Sequence, residues 1–316
     1  MAVSSAAVQP RPSIPSRILS LLADSRNALG FGFMLPAAAL LLVFLTYPLG
    51  LGIWLGFTDA RIGRPGVFIG IENYQYLSDD AVFWLSVFNT LLYTISASIL
   101  KFALGLWLAL ILNQNLPFKS FFRAIVLLPW VVPTVLSAIA FWWIYDSQFS
   151  ILSWALMEMG LIDHRINFLG DPVNARASVI AANIWRGIPF VAITLLAGLQ
   201  TIPQSLYEAA TLDGASRWQL FRFVTLPLLT PIIAITMTFS VLFTFTDFQL
   251  IYVLTRGGPV NATHLMATLS FQRGISGGQL GEGAAIAVAM IPFLLAAILF
   301  SYFGLQRRKW QQGGGD

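Results

Sequence analysis

An all-α membrane protein with six transmembrane helices is the fold class the sequence predicts, and three observations predict it. The 316 residues are 57% hydrophobic and only 10% charged, with mean hydropathy +0.75, where a soluble domain carries about 25% charged residues. Six apolar stretches each approach or exceed the roughly 20 residues that a bilayer crossing needs. Between the fourth and fifth lies Leu206–Pro227, LYEAATLDGASRWQLFRFVTLP, whose Glu208, Asp213, Arg217 and Arg222 make it too polar to cross.

In chain order, residues 1–28 hold Pro10, Pro12, Pro15, Arg11, Arg17 and Arg26 without a long apolar run. They read as a mostly disordered tail with a short surface helix from Ser16. A cleaved signal peptide is not expected, because the first apolar run begins late and is far longer than an h-region. Spans are predicted at 29–57, 82–112, 124–145, 176–199, 228–254 and 283–305. The closed backbone bonding required in lipid makes each a helix. Lys101 alone interrupts the second span, and a snorkelling or packing role is the default for it. Segment 58–81 is charged and reads as a loop. So does 146–175, whose apolar stretch 151–159 is too short to cross.

The polar stretch reads as two short helices with a bend. Ser205 with Glu208, and Ser216 with Gln219, are capping-box patterns. Gly214 supplies the backbone freedom that ends the first helix, and Pro227 closes the second and opens the next span. Ala209 and Ala210 leave one helix face nearly flat, open to close approach, so the stretch reads as a docking element.

Orientation follows from Lys and Arg. With the amino terminus inside, the inner segments hold Arg11, Arg17, Arg26, Lys119, Arg123, Arg217, Arg222, Arg307, Arg308 and Lys309. The outer loops hold Arg61, Arg64, Arg165, Arg176, Arg256 and Arg273. Both termini and the docking element are therefore expected in the cytoplasm, with Arg307-Arg308-Lys309 as a stop-transfer anchor. A P-loop is excluded, since none of Lys101, Lys119 and Lys309 follows a glycine. No catalytic constellation appears, there is no cysteine, and His164 and His264 lack metal-ligand spacing and read as surface residues. The chain is read as a non-enzyme without cofactor, catalytic or metal site of its own and without a nucleic-acid partner.

Glu208-Ala209-Ala210, then Gly214, then Val224-Thr225-Leu226-Pro227 resembles the EAA loop of permease subunits of ABC importers. The one departure is Val224 for the usual Ile. Thr255-Arg256-Gly257-Gly258-Pro259 after the fifth span is similar to the TxGGP signature of MalF- or UgpA-like subunits in the carbohydrate-uptake branch. The resemblance implies a sugar permease at 29–305, with its EAA loop at 200–227 and cytoplasmic tails at 1–28 and 306–316. It also implies a bacterial or archaeal cytoplasmic membrane. The implied partners are a second, MalG-like permease, an ATPase dimer that binds ATP and magnesium, and an extracytoplasmic sugar-binding protein. The ATPase would meet Glu208, Ala209, Ala210, Asp213, Gly214 and Pro227.

Polar residues inside spans usually face a cavity or one another. Ser240, Thr244 and Asp247 recur on one face of the fifth span, and Asn183, Gly187 and Phe190 share a face of the fourth. Gly187-Ile188-Pro189 is expected to loosen that helix. In the third span Pro129 and Pro133 flank Trp130, with Thr134 next. The resemblance puts sugar-contacting positions at Trp130, Thr134, Asn183, Gly187, Phe190, Ser240, Thr244 and Asp247. Asp247 and Arg186 share a depth of about 13–15 Å from the outer surface. Asp247 is therefore expected to pair with Arg186, to face the cavity and accept sugar hydroxyls, or to do both. A gradient-driven secondary transporter with Asp247 as proton carrier, or a non-transporting scaffold, stays open beside the importer reading.

Overall fold

The computed structural model describes residues 26–311, with side chains from 30 to 303. Most of the tail predicted at 1–28, Arg11, Arg17 and the end of the tail predicted at 306–316 lie outside the described residues. So do the side chains of Arg26, Arg307, Arg308 and Lys309. The chain divides into two compact units, ending at Trp54 and beginning at Leu55. The first contains α1 (Arg26–Leu41), a single π-helical stretch at Leu42–Thr46, and nearly all of α2 (Tyr47–Leu55).

The second unit is helical, and its short antiparallel contacts, Thr58 with Phe68 and Arg61 with Arg64, form no strand among the described residues. It comprises α3 (Glu72–Asp79), α4 (Ala81–Asn113), α5 (Lys119–Val131), α6 (Thr134–Ile144), α7 (Ile151–Glu158) and α8 (Pro172–Leu199). Then come α9 (Gln204–Leu212), α10 (Arg217–Gln219), α11 (Leu226–Phe245), α12 (Gln249–Leu254), α13 (Met266–Phe271) and α14 (Leu280–Gln311). Over the described residues five helices are long and apolar enough to cross a membrane, six when α5 and α6 count as one span. Segment 58–81, read as a loop, contains α3.

The centre is α4 against α8. Asp80 caps α4 by accepting from the Val82 N–H at 2.8 Å. Asp171 caps α8 by accepting from Val173 and Asn174, with Pro172 in the first turn, where its missing N–H is no loss. Gly105 of α4 lets the two backbones approach, since a Cβ there would stand 2.7 Å from Val191 Cγ1. Val191, Leu195, Leu199 and Leu229 fill one end of this seam, and Tyr93, Val179, Leu250 and Ile251 the other.

Three expectations about the spans need correction. The third, predicted as one span at 124–145, is two helices, α5 and α6, that meet at 89°. Val132 is extended at φ −65°, ψ 128°, as a residue before proline prefers, and Pro133 then starts α6. The fourth is not loosened at Gly187–Pro189, for α8 runs through Pro189 unbroken. The backbone opens instead in the fifth span, between α11 and α12, where Thr246, Asp247 and Phe248 leave the helix.

The segment after α12 is a locked coil. Arg256, Gly257, Val260 and Asn261 take positive φ, and the Gly258–Pro259 peptide is cis. Thr263 Oγ1 donates to the Gly258 carbonyl at 2.7 Å. Asn89 donates to the Asn261 and His264 carbonyls, and Arg176 Nε donates to Asn89 Oδ1 and the Ala262 carbonyl. His264, expected at the surface, is only 3% exposed. Its ring fills the space beside Gly257, and Nδ1 lies 3.2 Å from Thr268 Oγ1. Farther on, Arg273 bonds Asp80 at 2.6 Å and Glu282 at 2.5 Å, tying this coil to α4 and α14.

Candidate functional site: a polar cavity and an exposed helical loop

A cavity of about 540 Å³ opens among α4, α5, α6, α8 and the break between α11 and α12. All eight positions expected to contact sugar line it: Trp130, Thr134, Asn183, Gly187, Phe190, Ser240, Thr244 and Asp247. They come from both sides of the kink before Pro133, from the unbroken α8 and from the opened turn at Asp247. Lys101, Arg186, Phe243, Thr246, Phe248 and Gln249 complete the lining.

One wall is polar and internally bonded. Lys101 Nζ donates to Asn183 Oδ1 at 3.0 Å and to Thr244 Oγ1 at 2.5 Å. Asn183 Nδ2 in turn donates to Asp247 Oδ2 at 3.0 Å, and the Tyr93 hydroxyl donates to the same oxygen at 2.7 Å. The amide of Asn183 thus links the buried ammonium to the carboxylate. Asp247 can reach both partners because the helix opens there, and its Oδ1 accepts from the N–H of Leu250 at 3.3 Å. Gly187 leaves the room that the Lys101 stem fills; a Cβ at 187 would collide with Lys101 Cδ.

Lys101 is therefore no snorkelling residue. It is 3% exposed and holds two of the predicted site residues. The signal that could have found it was in the sequence: a lone ionisable side chain well inside an apolar span marks a functional site by default. The alternative of a direct Asp247–Arg186 pair fails. Among the described residues the ion pairs are Arg64–Asp59, Arg273–Asp80 and Arg273–Glu282. Shared depth did not imply shared direction.

The other wall is aromatic. Trp130 stacks on Phe190 with centroids 5.2 Å apart and planes 21° apart, and Phe243 meets Phe190 edge-on at 6.3 Å. The Arg186 guanidinium lies 5.7 Å from the Trp130 ring centre. Apolar ring surface facing bonded amide, hydroxyl and carboxylate groups can take a ligand with C–H faces and hydroxyl edges.

The polar stretch forms a bent, exposed loop. At the end of α9 the Ala215 N–H bonds the Ala210 carbonyl and the Gly214 N–H bonds that of Thr211, a Schellman closure with Gly214 at φ +83°. Ser216 and Gln219 form the predicted capping box. The first box does not form, because α9 begins two residues earlier than a Ser205 cap requires, behind Pro203, and Ser205 falls inside its first turn. Nor does Pro227 close the second helix: α10 passes through a π-helical stretch, Leu220–Thr225, straight into α11, whose first turn tolerates the proline. Glu208, Ala209, Asp213, Gly214 and Pro227 are exposed and Ala210 is half-buried. Leu212, at 89%, and Phe223, at 72%, are exposed on the surface of the chain.

Comparison with known proteins gives a consistent result. The family model of the binding-protein-dependent transport system inner membrane component matches residues 101–311. The trehalose/maltose transport system permease protein MalF of Thermococcus litoralis is 36% identical, over 93% of this chain and 99% of its own. A bacterial ABC transporter that imports the acidic polysaccharide alginate superposes with TM-score 0.79 at 25% identity, covering 92% of this chain and 99% of that one. The alginate transporter solved with an alginate pentasaccharide-bound periplasmic protein gives TM-score 0.75 at 26% identity, over 87% and 93%.

Proposed function

Because this chain belongs to the family of binding-protein-dependent transport inner-membrane components, and is thus an ABC importer permease, we propose that its cargo is a saccharide bound in the 540 Å³ cavity. The observation that carries this reading is the meeting of eight residues from three spans around one cavity with an aromatic and a hydrogen-bonding wall. The relatives add weight: one is named for trehalose and maltose, the other for alginate. In this family ATP and magnesium belong to a separate ATPase, and hydrolysis is not chemistry of this chain.

The EAA loop, with Glu208, Ala209, Ala210, Asp213, Gly214 and Pro227, would be the ATPase seat, on the cytoplasmic side together with both termini of the 29–305 domain. A MalG-like permease would supply the other half of the passage, and an extracytoplasmic sugar-binding protein the cargo, as a periplasmic protein does for the alginate transporter. ATP-driven closure of the ATPase dimer would shift the spans between two arrangements, each ligand working by its preference for one of them. A gradient-driven carrier is disfavoured, because Asp247 is already held by Tyr93, Asn183 and the Leu250 N–H.

Uptake by the importer reconstituted with its partners tests the cavity. Asn183→Ala and Thr244→Val each remove a hydrogen-bonding group from the wall and should raise the KM for the transported saccharide per assembled complex, with lower membrane levels for Asn183→Ala, which strands Lys101 and Asp247. Unchanged uptake in both would move the binding site elsewhere. Glu208→Lys should lose ATPase co-purification while the spans stay inserted; recovery of a full complex with normal stimulated hydrolysis would remove the loop from the coupling role.

A further inference from the structure

The three ionisable residues on the cavity wall are not equally satisfied. Lys101 and Asp247 compensate each other through Asn183, and the carboxylate accepts three hydrogen bonds, from Tyr93, Asn183 and the Leu250 N–H. Arg186 is the surplus cation. Among the described residues no hydrogen bond or ion pair reaches its guanidinium, and its Nε is buried without a partner. What it touches is the ring of Trp130, 5.7 Å from the centroid, at the edge of the aromatic wall. A cation–π contact offsets only part of the loss of water, and an arginine deep in a span calls for a counter-charge.

A guanidinium is a planar fork that matches a carboxylate, sulfonate or phosphate with two parallel hydrogen bonds. Asp247 makes no hydrogen bond or ion pair with it, its oxygens being taken by Tyr93, Asn183 and the Leu250 N–H. The fork lies over the Trp130 ring, in the lining of the cavity.

We infer that the cargo is an anionic saccharide and that Arg186 binds its acidic group. This rests on the saccharide reading above and adds the charge. The cavity then works as two halves: the Lys101–Asn183–Asp247 relay faces hydroxyls, and Arg186 selects the anion. Lys101 is already committed to Asn183 and Thr244, which leaves Arg186 as the cation free for cargo.

The test uses the assembled importer in lipid nanodiscs, with the binding protein left out so that it cannot select. Two probes are titrated: a glucose disaccharide, and the same disaccharide with its terminal glucose oxidised to glucuronate. The uronate should bind roughly tenfold or more tighter, the range of one charge-assisted hydrogen-bond pair. Arg186→Gln should bring the affinities of the two probes together, and Arg186→Lys should restore part of the difference. Equal or tighter binding of the neutral sugar by the wild type overturns the inference and leaves the saccharide reading standing. A uronate preference that survives Arg186→Gln overturns it too. Binding of neither probe overturns the saccharide reading and the inference together. If Arg186→Gln fails to assemble, the wild-type comparison of the two probes decides the matter.

Discussion

The two segments at opposite ends of the fifth span, 201–225 before it and 255–276 after it, share one backbone device and use it differently. Each turns on a left-handed glycine, Gly214 at φ +83° and Gly257 at φ +87°. Around Gly214 there is nothing within 4 Å of where a Cβ would be, while at Gly257 the ring of His264 fills that place. The first segment leaves Leu212, Trp218 and Phe223 exposed on the surface of the chain. The second buries Thr263, His264 and Thr268 and bonds its carbonyls to Asn89 and Arg176. A segment whose polar groups are satisfied within the chain is part of the scaffold. One whose apolar side chains stay exposed while its backbone is well capped is shaped for another surface.

The largest expected effect tests the scaffold side. Arg273→Met leaves Asp80 and Glu282, with side chains only 11% and 7% exposed, facing each other without a counter-charge. Removing one partner of such a pair costs on the order of 3 kcal/mol, so thermal unfolding of the purified protein should shift clearly downward. An unchanged transition would mean that water, not Arg273, satisfies the two carboxylates.

The glycines sharpen the contrast directly. Gly257→Ala meets left-handed strain of about 1–3 kcal/mol plus displacement of the His264 ring, and should lower both stability and membrane level. Gly214→Ala meets the strain alone, in open space, at about 1–2 kcal/mol. It should leave the unfolding transition of the spans nearly in place and show instead as weakened ATPase co-purification. Equal loss of stability in both would erase the distinction between the two segments.

A smaller effect is titratable. Burial, with the Arg273 charge adding, holds the His264 pKa below its ordinary 6.5. The folded state therefore prefers the neutral ring. Stability from this residue is complete above pH 6.5 and is lost as pH falls through the lower folded value, where the unfolded chain has already taken up its proton. Melting temperatures between pH 7 and 5 should fall more steeply for the wild type than for His264→Gln. Parallel curves would show that the ring is wet.

The smallest effect on stability belongs to the exposed side. Trp218→Ser, at a position 68% exposed, should change stability by less than about 0.5 kcal/mol while weakening association with the ATPase. A large drop in melting temperature would mean that the loop packs on its own chain.

The sequence by itself determined the number and place of the apolar spans, the exposed polar loop, the turn at Gly214 and the Ser216–Gln219 cap. Each depends on neighbours in the chain: hydropathy over some twenty residues, or cap residues three apart. It also pointed to eight cavity positions, most of them through resemblance rather than physics. Only the tertiary structure decided that the third span bends at Pro133, that the fifth opens at Asp247 while Pro189 leaves α8 intact, and which buried charges meet. Lys101 bonds Asn183 82 residues away and Thr244 143 away, and Tyr93 reaches Asp247 across 154. Spacing along a helix gives the depth of a side chain to within about a turn. Its direction depends on how each helix is rotated against the others, which packing of small residues such as Gly105 and Gly187 sets; so Arg186 and Asp247 share a depth without forming a pair, while Lys101 finds its partners.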